Sequence, residues 1–156
     1  MNDTTHFFGA IQTGDKDLVT ALLTQHPEFV NVTDARGFTP LIFASYFDKM
    51  DIVKTLLDFN APVNAKDGSG NTALIGVAFK GNTSLAQLLL KNGADVNAQN
   101  NLGHTPLIFA AMYGQTKMVN LLLQHNANST LKDNEGKLAF EHAENKCFTE
   151  VVKLLK

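Results

Sequence analysis

The sequence predicts an all-α solenoid: helix-turn-helix units stacked side by side, joined by β-hairpin-like loops, in one domain over residues 1–156. Three observations predict it. Asp67 to Gln99 recurs without a gap at a 33-residue period, backward onto Asp34 to Lys66 and forward onto Asn100 to Lys132. Each copy closes with apolar residues at helical spacing. Turn and cap residues fall in the same columns each time: Gly37, Gly70 and Gly103; Thr39, Thr72 and Thr105; Asn60, Gly93 and Asn126.

The units follow in chain order. Residues 5–33 form an N-terminal cap, HFFGAIQTG then DKDLVTALLTQ, lacking the opening turn of later units. Leu18, Val19, Leu22 and Leu23 take the core positions of its second helix, Pro27 ends that helix, and Phe29 and Val30 are expected to cover the open end of the core. Residues 34–66, 67–99 and 100–132 are the body. Each opens on Asp-x-x-Gly or its Asn variant, where a short polar side chain bonds nearby backbone. Thr39 and Thr105 precede proline, the pattern of a threonine N-cap with proline at the first helical position, so first helices are expected at 40–47 and 106–113. Second helices start near Met50, Thr83 and Thr116 and end at Asn60, Gly93 and Asn126, residues that tolerate a left-handed C-cap. Residues 133–156 are a C-terminal cap with a polar first helix, so the chain reads as a nearly complete stack.

Gly-x-Thr-Pro-Leu followed by alanines (GFTPLIFA, GHTPLIFAA), then LLLKNGADVNA, resembles the ankyrin repeat over nearly the whole chain, in about five units counting both caps. The TPLI and NTALIGVAFKG wording is more similar to small bacterial ankyrin proteins than to animal ones. The family usually carries histidine where this chain has Ile42, Ile75 and Ile108, so the resemblance implies repeats locked by apolar packing instead.

Composition narrows the function. A net charge of −2 argues against nucleic acid or an anionic membrane surface as partner. Cys147 is the single cysteine, so it forms no disulfide within the chain and no cysteine zinc cluster; it falls in the column of Gly81 and Gly114 and reads as a spare thiol. The start, MNDTTHFFGAIQTGDKD, lacks the regions of a signal peptide, so the expected location is cytoplasmic, or secreted or periplasmic if a leader has been removed. No apolar run is long enough to span a bilayer.

A search for chemistry yields no catalytic group, no cofactor and no metal site. His6, His26, His104, His125 and His142 show no paired ligand spacing, and no glycine-rich phosphate loop is present. Asp34, Asp67, Asp95 and Asp133 recur at repeat spacing and read as turn formers.

What remains is a surface. The resemblance implies that partners are gripped by the hairpin tips and the exposed end of each first helix. Carried over by column, the partner-binding set is Arg36, Phe38, Tyr46 and Phe47; Asn71, Phe79 and Lys80; Leu102, His104, Met112 and Tyr113. It holds both tyrosines and the only arginine of the chain, types enriched at interfaces. Phe43, Gly76 and Phe109 share one column, so Gly76→Phe is expected to overpack that row at a cost of about 1–3 kcal/mol. The expected function is a monomeric, non-enzymatic module binding an unidentified protein partner through its concave face. The alternatives are an accessory, inhibitor or immunity protein, a host-directed effector, or a small-ligand binder using His104 with Asn101 or Asn134.

Overall fold

The computed structural model describes residues 3–156; Met1 and Asn2 of the expected domain lie outside the described residues. Helices come in pairs: α1 (Asp3–Thr13) with α2 (Lys16–Gln25), α3 (Pro40–Tyr46) with α4 (Met50–Asp58), α5 (Ala73–Lys80) with α6 (Thr83–Lys91), α7 (Pro106–Met112) with α8 (Thr116–Gln124), and α9 (Ala139–Asn145) with α10 (Thr149–Leu155). The first helices form one continuous layer, α1 on α3 on α5 on α7 on α9. Behind it α2 packs on α4, α6 on α8, and α8 on α10. No strand occurs among the described residues, so the hairpin-like loops are tight turns, and no described helix is long and apolar enough to cross a membrane.

Local chemistry sets these boundaries. The hydroxyls of Thr39, Thr72 and Thr105 accept the backbone N–H of Ile42, Ile75 and Ile108 at 3.2, 3.2 and 3.1 Å, closing the first turn of α3, α5 and α7. In the last unit Leu138 replaces threonine, and Glu141 instead reaches back to the Leu138 N–H at 3.0 Å. At the far ends of α4, α6 and α8, Asn60, Gly93 and Asn126 take positive φ of 63, 93 and 66°. The following alanine N–H then bonds back to Leu56, Leu89 and Leu122, each at 3.0 Å, satisfying a carbonyl that a bare helix end would leave open.

The core runs the length of the stack. Val19, Leu23, Val53, Leu56, Leu85, Leu89, Val119 and Leu122 are fully buried, while Leu18 and Leu22 are only partly so. Ile42, Ile75 and Ile108 are buried where the family's histidine would stand. Apolar packing is not the whole lock, however. Along the tips, backbone N–H groups of Gly68, Asn101 and Asn134 bond to Arg36, Ser69 and Leu102 of the preceding unit at 3.3, 3.0 and 3.0 Å.

One detail departs from expectation. Pro27 does end α2, but it also opens a 3-10 turn, Pro27–Asn31, that packs on both α2 and α3. Phe29 and Val30 are both buried, with the Phe29 ring 5.3 Å from that of Phe7 in α1.

The turns between paired helices share a left-handed residue: Asp48, Gly81, Gly114 and Cys147, with φ of 57, 79, 67 and 60°. An L-residue there costs about 1–2 kcal/mol, and glycine returns about 0.5–1 kcal/mol of that as chain entropy. Cys147 is exposed, so Cys147→Gly removes little packing and is expected to stabilise the protein by about 0.5–1 kcal/mol. A thermal melt no higher than wild type would count against that strain.

Candidate functional site

The tip columns and the solvent-facing ends of the first helices supply the surface. Asp34, Asp67, Asn100 and Asp133 each use Oδ1 to accept two backbone N–H groups of their own loop, at distances of 2.8–3.0 Å. Their second side-chain atom is left for a neighbour. Asp34 Oδ2 pairs with Arg36 at 3.0 Å, which orients the guanidinium 4.2 Å from the Phe38 ring centre. Burial would raise the Asp34 carboxyl, but its bonds from the Phe38 backbone and the Arg36 side chain hold it below the usual carboxylate range.

The expected partner-binding residues divide three ways. Arg36, Tyr46, Phe79, Lys80, Leu102 and Tyr113 are exposed; Phe38, Phe47, Asn71 and Met112 are half-buried. Phe47 packs 4.9 Å from the Phe43 ring and 5.1 Å from Tyr46, so it props the surface more than it forms it. Lys80 is committed across a seam: its ammonium donates to the Tyr46 carbonyl and to Asp48 Oδ2, and lies 5.1 Å from the Tyr46 ring centre. That ion pair and the Asn82 amide hold the Asp48 carboxyl low despite the desolvation that would raise it.

His104 is the exception. It is only 8% exposed, drawn inward onto the Phe109 ring and toward Asp133, because stacking carries it over the next unit's opening turn. It belongs to a buried cluster and not to the open face.

The Phe43, Gly76, Phe109 row also differs from expectation. The Phe43 ring turns toward Phe8, 5.1 Å away, and Phe47; Phe109 turns toward Phe79 and Tyr113, at 6.1 and 6.2 Å. No crowding results, and neither ring closes the gap: outside the local backbone of α5 and the residues flanking Gly76, no atom lies within 4 Å of the place a Gly76 Cβ would take. A notch of about 190 Å³ opens there, lined chiefly by Phe38, Ile42, Tyr46, Val77, Phe79 and Phe109. On its rim Tyr46 and Phe79 are 51 and 43% exposed, and Tyr113, 49% exposed, stands edge-on to Phe79 at 4.6 Å. The expected overpacking by Gly76→Phe is therefore withdrawn, since the new ring would enter open space.

The sequence reading missed both the notch and the cluster that takes up His104. Asp133 Oδ2 receives His142 Nε2 at 2.7 Å and faces His104 Nε2 at 3.4 Å, and the two imidazoles stand nearly perpendicular, 6.0 Å apart. The Asp133 side chain is 1% exposed. Burial alone would raise its carboxyl, yet the Lys137 N–H, the His142 ring and the Glu135 N–H together hold it below the usual range. Burial pushes His104 the other way, lowering its pKa below the ordinary histidine value against the attraction of Asp133.

Comparison with known proteins is consistent with this architecture. The family described as ankyrin repeats (3 copies) matches residues 7–100 and 74–156. No curated protein matches the chain.

Proposed function

The chain belongs to the ankyrin-repeat family, and on that premise we propose that it is a non-enzymatic protein-interaction module which seats an apolar side chain of a partner in the notch at Gly76. Members of the family generally act as protein–protein interaction modules. One observation carries the reading to particular residues: an apolar notch of about 190 Å³, rimmed by exposed Tyr46 and Phe79 with Tyr113 beside them. Binding energy at interfaces concentrates where an anchor enters such a pocket, and aromatic residues around it exclude water. The supporting helices are packed on both sides, so the surface is preorganised and loses little entropy on docking.

At about 190 Å³ the notch lies below the about 300–1,000 Å³ of pockets for drug-sized molecules, so it suits a side chain better than a small ligand. The notch admits a side chain and little more. His104, which a ligand-binding reading would use, faces Asp133 instead.

The test is a pull-down from source cells with wild type, a Tyr46→Ala/Tyr113→Ala double variant and Gly76→Phe in parallel. Each tyrosine is expected to contribute roughly 2 kcal/mol to binding. Gly76→Phe blocks the notch and is expected to abolish capture while melting no lower than wild type, since glycine within a helix costs about 0.5–1 kcal/mol relative to alanine. A protein retained equally by all three baits would exclude the notch as its docking site.

A further inference from the structure

The seam between the last body unit and the C-terminal cap differs from the other seams in one respect. Three columns meet at each seam: the tip residue before the capping threonine in one unit, and the opening Asx and mid-helix residue of the next. At the first seam between body units they hold Phe38, Asp67 and Gly76, and at the second Asn71, Asn100 and Phe109. At the third they hold His104, Asp133 and His142. Only there do stacking and sequence together assemble two imidazoles and a carboxylate, with one donor atom from each within 4.8 Å of the others.

Charge balance gives the trio a use beyond holding the seam. The Asp133 side chain is 1% exposed, and among the described residues no lysine or arginine forms an ion pair with it. A buried carboxylate without a cation is costly.

We propose that His104, Asp133 and His142 bind a divalent late transition-metal ion of the zinc class, through His104 Nε2, Asp133 Oδ2 and His142 Nε2, with water in the fourth position. Nitrogen and carboxylate donors in this number suit zinc and its neighbours better than calcium or magnesium, which prefer all-oxygen shells. Tetrahedral bonds of about 2.0–2.2 Å place donor atoms about 3.3–3.6 Å apart. The His104–Asp133 pair is already at 3.4 Å; the His142–Asp133 pair, at 2.7 Å, must open slightly as a metal replaces the shared proton. Both imidazoles keep an edge in solvent, 11 and 12% exposed, which gives the ion a way in and leaves room for its water. Ligating histidines normally donate their other nitrogen to a supporting group, a contact His104 lacks. The site should thus bind about 10–100-fold more weakly than a fully supported one.

The chain's own repeats supply the test variants. Asp133→Asn copies Asn100, whose Oδ1 makes the same two loop bonds at 2.9 and 3.0 Å, and His142→Phe copies Phe109. Untagged protein is titrated with Zn²⁺ by calorimetry and with Co²⁺ by visible absorption. Wild type is expected to take up one equivalent and to show cobalt bands of a four- or five-coordinate site. Each variant should lose at least about tenfold in affinity while keeping its far-ultraviolet dichroism. Imidazole resonances of wild type provide a readout that needs no variant: His104 and His142 should shift on Zn²⁺ addition, and His6, His26 and His125 should not. Absence of binding, equal binding by the variants, or shifts confined to the other three histidines would overturn the proposal.

Discussion

Gly70→Ala is expected to destabilise the protein by about 2–5 kcal/mol, a large effect for one added methyl group. Two costs combine. Gly70 holds φ at 79°, where an L-residue costs about 1–2 kcal/mol. A Cβ there would also lie 2.8 Å from the backbone nitrogen of Asn101 and 2.5 Å from its Oδ1. The side chain can swing away; the backbone cannot, because that N–H donates to Ser69 at 3.0 Å and ties two units together. Crowding of this kind costs about 1–3 kcal/mol. Stability in a solenoid is a sum of unit and interface terms, so damage at a central seam should also uncouple the two halves. A urea titration should show an earlier and broader transition than wild type. Superimposable curves would mean the tips contribute nothing to coupling.

Much of the fold was legible because independent signals agreed at the same residues. Thr39–Pro40 and Thr105–Pro106 combine an N-cap with a preset first helical φ, and α3 and α7 begin at those prolines. The starts at Met50, Thr83 and Thr116 follow from a period and an apolar spacing that coincide. The 3-10 turn after Pro27 was not legible: proline both stops a helix and opens a turn, and the choice was made by burial of Phe29 against Phe7.

The site divides along the same line. Tyr46, Phe79 and Tyr113 are exposed as their columns implied, but Met112 and Phe47, in the same two columns, are half-buried. The notch did not follow. A glycine between two phenylalanines in a row permits either a ring leaning inward or a void, and the rotamers of Phe43 and Phe109 were fixed by Phe8 and Phe79, which periodicity does not reach. His104, Asp133 and His142 are separated by 29 and 9 residues, a spacing no single-helix ligand motif covers. The signal was present in another form: setting the units in register and reading across each seam brings the three letters together.

Phe7→Ala is expected to cost about 3–5 kcal/mol, the range for removing a buried aromatic side chain, and to act locally where Gly70→Ala acts on the middle of the stack. Phe7 is fully buried and lies 5.3 Å from Phe29 and 6.2 Å from Phe8, so its loss opens a cavity shared by α1 and the Pro27–Asn31 turn. Among the described residues α1 packs in the layer of first helices on α3. Because units couple only to their neighbours, the N-terminal pair should open while the rest stays folded. Hydrogen exchange should speed up through α1 and α2 and remain slow in α7 and α8. The effect should fade along the row of rings: Phe8 touches Phe43 at 5.1 Å, but Phe43 faces away from the notch, so partner capture should survive. Uniform loss of protection in all five helix pairs would show instead that the stack unfolds as one unit, with coupling between neighbours stronger than the stability of any one of them.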